Sequence, residues 1–88
     1  MPRWRMERIE VRCYSGYRLN ESPRAFLFLG KWHTVVEVLD QWYEGGVIAE
    51  DPIVHYFKVL TNEGETNLLR YDSLHDEWTL VIRSSEKA

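Results

Sequence analysis

Residues 24–36 read Arg24-Ala25-Phe26-Leu27-Phe28-Leu29-Gly30-Lys31-Trp32-His33-Thr34-Val35-Val36. Aromatic and β-branched side chains crowd this stretch, as they do in strands, and one glycine breaks it near the middle. Gly30-Lys31 fits a two-residue hairpin turn with glycine first, the type II′ arrangement. That register predicts Leu29 opposite Trp32, Phe28 opposite His33, Leu27 opposite Thr34 and Phe26 opposite Val35. One face then carries Phe26, Phe28, His33 and Val35, and the other carries Leu27, Leu29, Trp32 and Val36. Both faces are apolar, yet a small sheet has one interior. One set must be covered by the chain's own tail, by the 43–52 loop or by another molecule.

Strand patterns continue on both sides of this hairpin. Ile9, Val11 and Cys13 alternate with Glu10, Arg12 and Tyr14, which predicts a half-buried strand over 7–14. Gly16, Asn20, Ser22 and Pro23 break the chain between the two. The third strand, 31–42, spaces Val35, Val38, Leu39 and Trp42 almost helically. Thr34-Val35-Val36 disfavours helix entry, so a bulge near Val38-Leu39 is the preferred reading, with a short helix over 35–43 as the alternative. Glu44 to Pro52 reads as loop, 53–61 as a fourth strand, 66–72 as a fifth and 77–83 as a sixth. Turns at 62–65 and 73–76 separate the last three, with Asp72 placed to hydrogen-bond the second turn's backbone. Six strands joined mainly by short turns predict an all-β fold. With so little chain to cover its edges, the sheet is expected to close as a small antiparallel barrel or strongly curved sheet, an SH3-like roll. The ordered core is expected over 7–83, with loose ends at 1–5 and 84–88.

Composition agrees with one small globular domain across residues 1–88, with 44% hydrophobic and 28% charged residues. The lone cysteine, Cys13, excludes an internal disulfide and a multi-cysteine zinc site, as suits a reducing compartment. It aligns with Ile9 and Val11 and reads as a small buried hydrophobe. No apolar run reaches membrane-spanning length and no signal peptide is visible, so a cytoplasmic protein without a membrane partner is expected. The net charge of −3 is uneven: residues 1–24 hold six arginines against three glutamates. A duplex-DNA binder would be more basic throughout.

Catalytic signatures are missing. The sequence has no Gly-rich phosphate loop, no nucleophile elbow and no histidine pair at metal-binding spacing. No catalytic, cofactor-binding or metal-binding residue is assigned, and the chain reads as a non-enzyme. The nearest approach to catalysis is Asp40 with His55, which meet if the third and fourth strands pair tightly around the 43–52 loop. That pair would be half of a general base, as in a small hydrolase, or a plain cross-strand polar contact. His33 reads as a packed rim histidine, and His75 with Asp76 and Glu77 as a solvated turn.

Two features stand out. The first is the arginine and aromatic mixture of Trp4, Arg5, Tyr14 and Tyr17 near the N-terminus, suited to a single-strand stacking platform or to a solvated strand face. The second is the surplus apolar face of Leu27, Leu29 and Trp32.

A wider pattern runs from Pro23-Arg24-Ala25-Phe26 and Gly30 through Val35, Val38-Leu39-Asp40-Gln41-Trp42, Tyr56-Phe57-Lys58-Val59, Gly64, Leu69, Asp72 and Trp78-Thr79-Leu80. Over residues 20–82 it resembles an uncharacterised bacterial family of small β-rich domains. These occur alone or at the C-terminus of proteins similar to Y-family translesion DNA polymerases. The resemblance implies core roles for Phe26, Phe28, Val35, Leu39, Trp42, Phe57 and Trp78, and implies no catalytic residue. Leu27, Leu29 and Trp32 depart from it, since polar side chains such as arginine are more usual there. The expected function is a non-enzymatic interaction module that joins a protein partner or a second copy through Leu27, Leu29 and Trp32, with Trp4, Arg5, Tyr14 and Tyr17 beside them. Weak single-stranded nucleic-acid binding linked to DNA repair is the alternative.

Overall fold

The structure, a computed structural model, describes residues 3–13, 22–45 and 53–84. Six strands follow one another: β1 (Arg3–Cys13), β2 (Pro23–Phe28), β3 (Lys31–Glu44), β4 (Val54–Thr61), β5 (Thr66–Asp72) and β6 (Glu77–Ser84). Each pairs antiparallel with the next, and β1 also pairs with β6, so the sheet closes into a barrel. Each strand thus has neighbours on both sides, though β1 and β3 divide their lengths between two partners.

β1 closes the barrel because it serves two neighbours. Arg3 to Ile9 run against β6 from Ser84 to Trp78, and Glu10 to Cys13 run against β2 from Leu27 to Pro23. The strand therefore starts before the expected position 7. Arg3 to Arg5, read from sequence as part of a loose end, are held by ladder partners at the end of β6, among them Ser84 of the other expected loose end.

The β2–β3 turn sits one residue earlier than expected. Phe28 pairs with Lys31, Leu27 with Trp32, Phe26 with His33 and Ala25 with Thr34. Leu29 and Gly30 form the turn with φ of 53° and 74°. Two positive φ angles are the type I′ signature, whose twist matches that of the flanking strands. Glycine takes the second position, and leucine takes a left-handed conformation that costs an L-residue roughly 1–2 kcal/mol. The register moves by two residues, so every side chain keeps its expected face.

β3 remains a strand throughout, and it is bulged. Its register against β4 slips between Val35 and Glu37 and again between Val38 and Asp40. The second slip lies at the expected site. Each bulge inserts one residue and reverses the inside–outside alternation, which explains the near-helical apolar spacing. It also moves two expected core residues outward. Leu39 lies in the second bulge and Trp42 pairs with Tyr56, and both are exposed.

The interior is built from Phe26, Val35, Phe57, Val59, Leu69 and Leu80, with Ile9, Val11, Phe28, Val38, Trp78 and Ile82 packed against them. Cys13 is half-buried. Each fully buried aliphatic or aromatic side chain contributes about 1.5–3 kcal/mol. No helix in the described residues is long and apolar enough to cross a membrane.

Candidate interaction surfaces

The interior takes the Phe26, Phe28, Val35 set, so the second apolar set of the hairpin points outward. Leu27 and Trp32 stand directly opposite each other across β2 and β3. Glu10 flanks Leu27 on the β1 side. The Arg12 guanidinium lies 4.3 Å from the centroid of the Trp32 ring, a cation–π contact that covers one ring face. Trp32 remains 38% exposed, and Leu29 at the turn is 86% exposed.

The N-terminal residues expected beside this patch divide. Trp4 and Arg5 lie on the half of β1 that pairs with β6, several residues along the strand from Glu10, the partner of Leu27. Arg5 pairs with Glu7 at 3.3 Å. Trp4 is 62% exposed and lines a different groove. Tyr14 and Tyr17 lie outside the described residues, as does most of the 43–52 loop.

That groove crosses the outer face of β1, β6, β5, β4 and β3. Two rows of directly opposed residues cross the five strands. One row is Met6, Val81, Leu68, Lys58 and Asp40, and the other is Arg8, Thr79, Arg70, Tyr56 and Trp42. Leu69 and Leu80, paired between the rows, are buried, which puts both rows on the outer face, where Thr79 is covered by its neighbours and buried. The Trp42 and Tyr56 rings stack with centroids 5.4 Å apart and planes 13° from parallel. Trp4, Trp42, Lys58, Leu68 and Val81 line the groove between the two tryptophans. Arg8 pairs with Glu77 at 3.5 Å, and among the described residues no ion pair holds Lys58 or Arg70.

Two polar clusters sit at the barrel's ends. At one, His33 stacks on Phe26 at 5.1 Å instead of facing Phe28, and its Nδ1 is 3.1 Å from Glu63 Oε1. Lys31 donates to the other Glu63 oxygen. These bonds hold the Glu63 carboxyl below its ordinary range, Lys31 first and His33 second, and raise the Lys31 ammonium. The Asn62 amide donates to the Thr34 carbonyl at 2.9 Å, so the β4–β5 turn is tied to the hairpin twice. At the other end, Asp72 accepts from the Leu74 and His75 amides, as expected of its place in the turn. Asp72 Oδ2 also lies 2.8 Å from His75 Nδ1, which raises the imidazole and lowers the carboxyl.

Asp40 and His55 do not meet. Asp40 stands opposite Lys58, and His55 stands opposite Tyr43 with its ring between Tyr43 and Tyr71. From Glu44 opposite Val54 to Asp40 opposite Lys58 the ladder runs without a slip, so the register leaving the 43–52 loop, before either bulge, already separates the two. Among the described residues no three His, Cys, Asp or Glu side chains gather as a metal site would.

Sequence reasoning passed over Tyr56, Lys58, Leu68 and Arg70. Period-two alternation in β4 and β5 is the signal that marks them as one face, since Phe57, Val59 and Leu69 between them are buried. Comparison with protein-family models, curated proteins and solved structures gives no match to this chain.

Proposed function

We propose that the barrel is a non-catalytic interaction module that buries Leu27, Leu29 and Trp32 against a protein surface, with a second copy of itself as the first partner. One observation carries this reading. Leu29 is both the most exposed large hydrophobic residue and one of two non-glycine residues with positive φ among those described. A type I′ turn favours Asn-Gly at these positions. Leucine there raises the free energy of the isolated domain through backbone strain and through apolar surface left in water. Burial of Leu29 against a partner recovers the second cost. Leu27 and Trp32 extend the patch along the hairpin, and Glu10 and Arg12 supply its polar edge. Aromatic anchors ringed by polar groups are the usual source of interface energy.

Two copies related by a two-fold axis would place hairpin against hairpin, the self-complementary arrangement most dimers use. Sedimentation velocity over a concentration series tests this. The expected result is a monomer–dimer equilibrium that shifts toward monomer in Trp32→Ala, with a cooperative melt retained. A wild-type chain that stays monomeric at every concentration removes the self-partner. Loss of the cooperative melt in Trp32→Ala shows instead that Trp32 is needed for folding.

A further inference from the structure

We propose that the outer face of β1, β6, β5, β4 and β3, away from the hairpin patch, binds single-stranded nucleic acid. Three features of the face coincide there. Trp42 stacks in near-parallel planes on Tyr56, at the β3 end of a row that continues through Arg70. Among the described residues β2 pairs with β3 only at Lys31 to Thr34, and β4 is the one strand that pairs with β3 at Trp42. A third flat ring added on the outer side of Trp42 would lengthen the stack.

The second feature is charge. Lys58 and Arg70, directly beside the stacked rings, have no ion-pair partner among the described residues. Of the acids on this face, Glu77 pairs with Arg8, Asp40 stands opposite Lys58 with its Oδ1 accepting from the Gln41 amide, and Glu44 and Asp72 lie one row beyond Trp42 and Arg70, Asp72 held by His75. The third feature is shape, a groove with Trp4 and Trp42 in its walls and Lys58 between them. Flat apolar rings alternating with cations match a ligand of flat rings alternating with phosphates.

The ligand is single-stranded because a duplex hides its ring faces, and because a chain of net charge −3 lacks the broad basic surface a duplex needs. Glu63, Glu65 and Asp76 sit away from this face, in the turns at the barrel's ends. With two phosphate contacts, the logarithm of affinity is expected to fall with the logarithm of salt at a slope of about −1.4.

A ¹⁵N–¹H NMR titration with oligo-dT of about ten nucleotides, within the span one small barrel covers, tests the proposal. Chemical-shift changes are expected at Trp42, Tyr56, Lys58 and Arg70 at low salt. Lys58→Glu and Trp42→Ala should each weaken binding about tenfold, Trp42→Phe should retain most of it, and Trp32→Ala should leave it unchanged. Lys58 is exposed, so Lys58→Glu carries the test even if Trp42→Ala misfolds. Absence of shifts, equal binding of a DNA duplex or of polyglutamate, or shifts confined to the hairpin would each overturn it. Self-association is read separately by sedimentation and the Trp32 variant, so failure of either proposal leaves the other standing.

Discussion

The Tyr71 hydroxyl donates to Asp76 Oδ1 at 2.6 Å, across a turn in which Asp76 itself holds a φ of 53°. Tyr71 is almost fully buried and packs its ring on Trp78 at 4.8 Å. The bond satisfies a buried hydroxyl and secures a strained turn residue together. Burial, then the Asp76 bond and charge, push the Tyr71 phenol up to about 12.

A phenol raised in the folded state keeps its full stabilising contribution below the unfolded value of 10 and loses it as pH climbs toward 12. The barrel is therefore expected to lose stability progressively between those values. Asp76→Asn keeps a residue that tolerates positive φ and removes the charge. Its Tyr71 midpoint, followed by phenolate absorbance, should fall while staying above 10, because burial is the larger cause. Asp76→Ala loses the acceptor as well, and about 1–3 kcal/mol of stability.

Leu29→Asn separates strain from function. Asparagine adopts the left-handed conformation more readily, and about 0.5–1 kcal/mol of stabilisation is expected. For a domain of this size that raises the melting temperature by roughly 2–8 °C. The same substitution removes the exposed apolar side chain and should weaken dimerisation. A variant that is both more stable and fully dimeric would show that Leu29 contributes nothing to the interface.

Leu69 is fully buried against the other core side chains. Leu69→Ala is expected to cost about 2–5 kcal/mol, a large share of what a domain this small possesses. Urea titration should show a lower midpoint with an unchanged slope. A loss below 1 kcal/mol would contradict the packing described.

The His75–Asp72 pair has a defined pH window. The raised imidazole contributes fully below its ordinary 6.5 and fades as pH rises through its higher folded midpoint. The lowered carboxyl contributes above its ordinary 3.8 and fades as pH falls through its lower one. Both contributions are present between 3.8 and 6.5. A proton NMR titration should place the His75 midpoint above 6.5 and return it toward that value in Asp72→Asn. An unshifted midpoint in the wild type would mean the pair does not persist in solution.

Much of the fold was legible from local signals. Thr66 to Asp72 lie between two clear turns, and the structure forms β5 over those residues. The bulge near Val38-Leu39 followed from β-branched residues set at a spacing no straight strand tolerates. The turn at Leu29-Gly30 was missed by one residue, because sequence preference would not put leucine at positive φ. Pairings between distant segments were less accessible. A tight β3–β4 loop would have joined Asp40 to His55, and only the observed register beside that loop shows Asp40 opposite Lys58. The N-terminal residues carried no signal that Arg3 would find Ser84. Of the expected surface, Leu27 and Trp32 do meet, whereas Trp4 belongs to a second face assembled from five strands. No single segment contains that face, so it emerges only when the barrel closes.

The β1–β6 ladder joins the two most distant stretches of chain, with Arg3 opposite Ser84. A circular permutant could link these ends briefly and open the chain between Leu29 and Gly30. All six ladders could then be kept: the β1–β6 pairing becomes a local hairpin, and the β2–β3 ladder, four residue pairs in place of seven, becomes the one that joins the ends. Fewer pairings then wait on end-to-end closure, so the permutant is expected to fold faster than the parent, with Leu29 released from its left-handed turn.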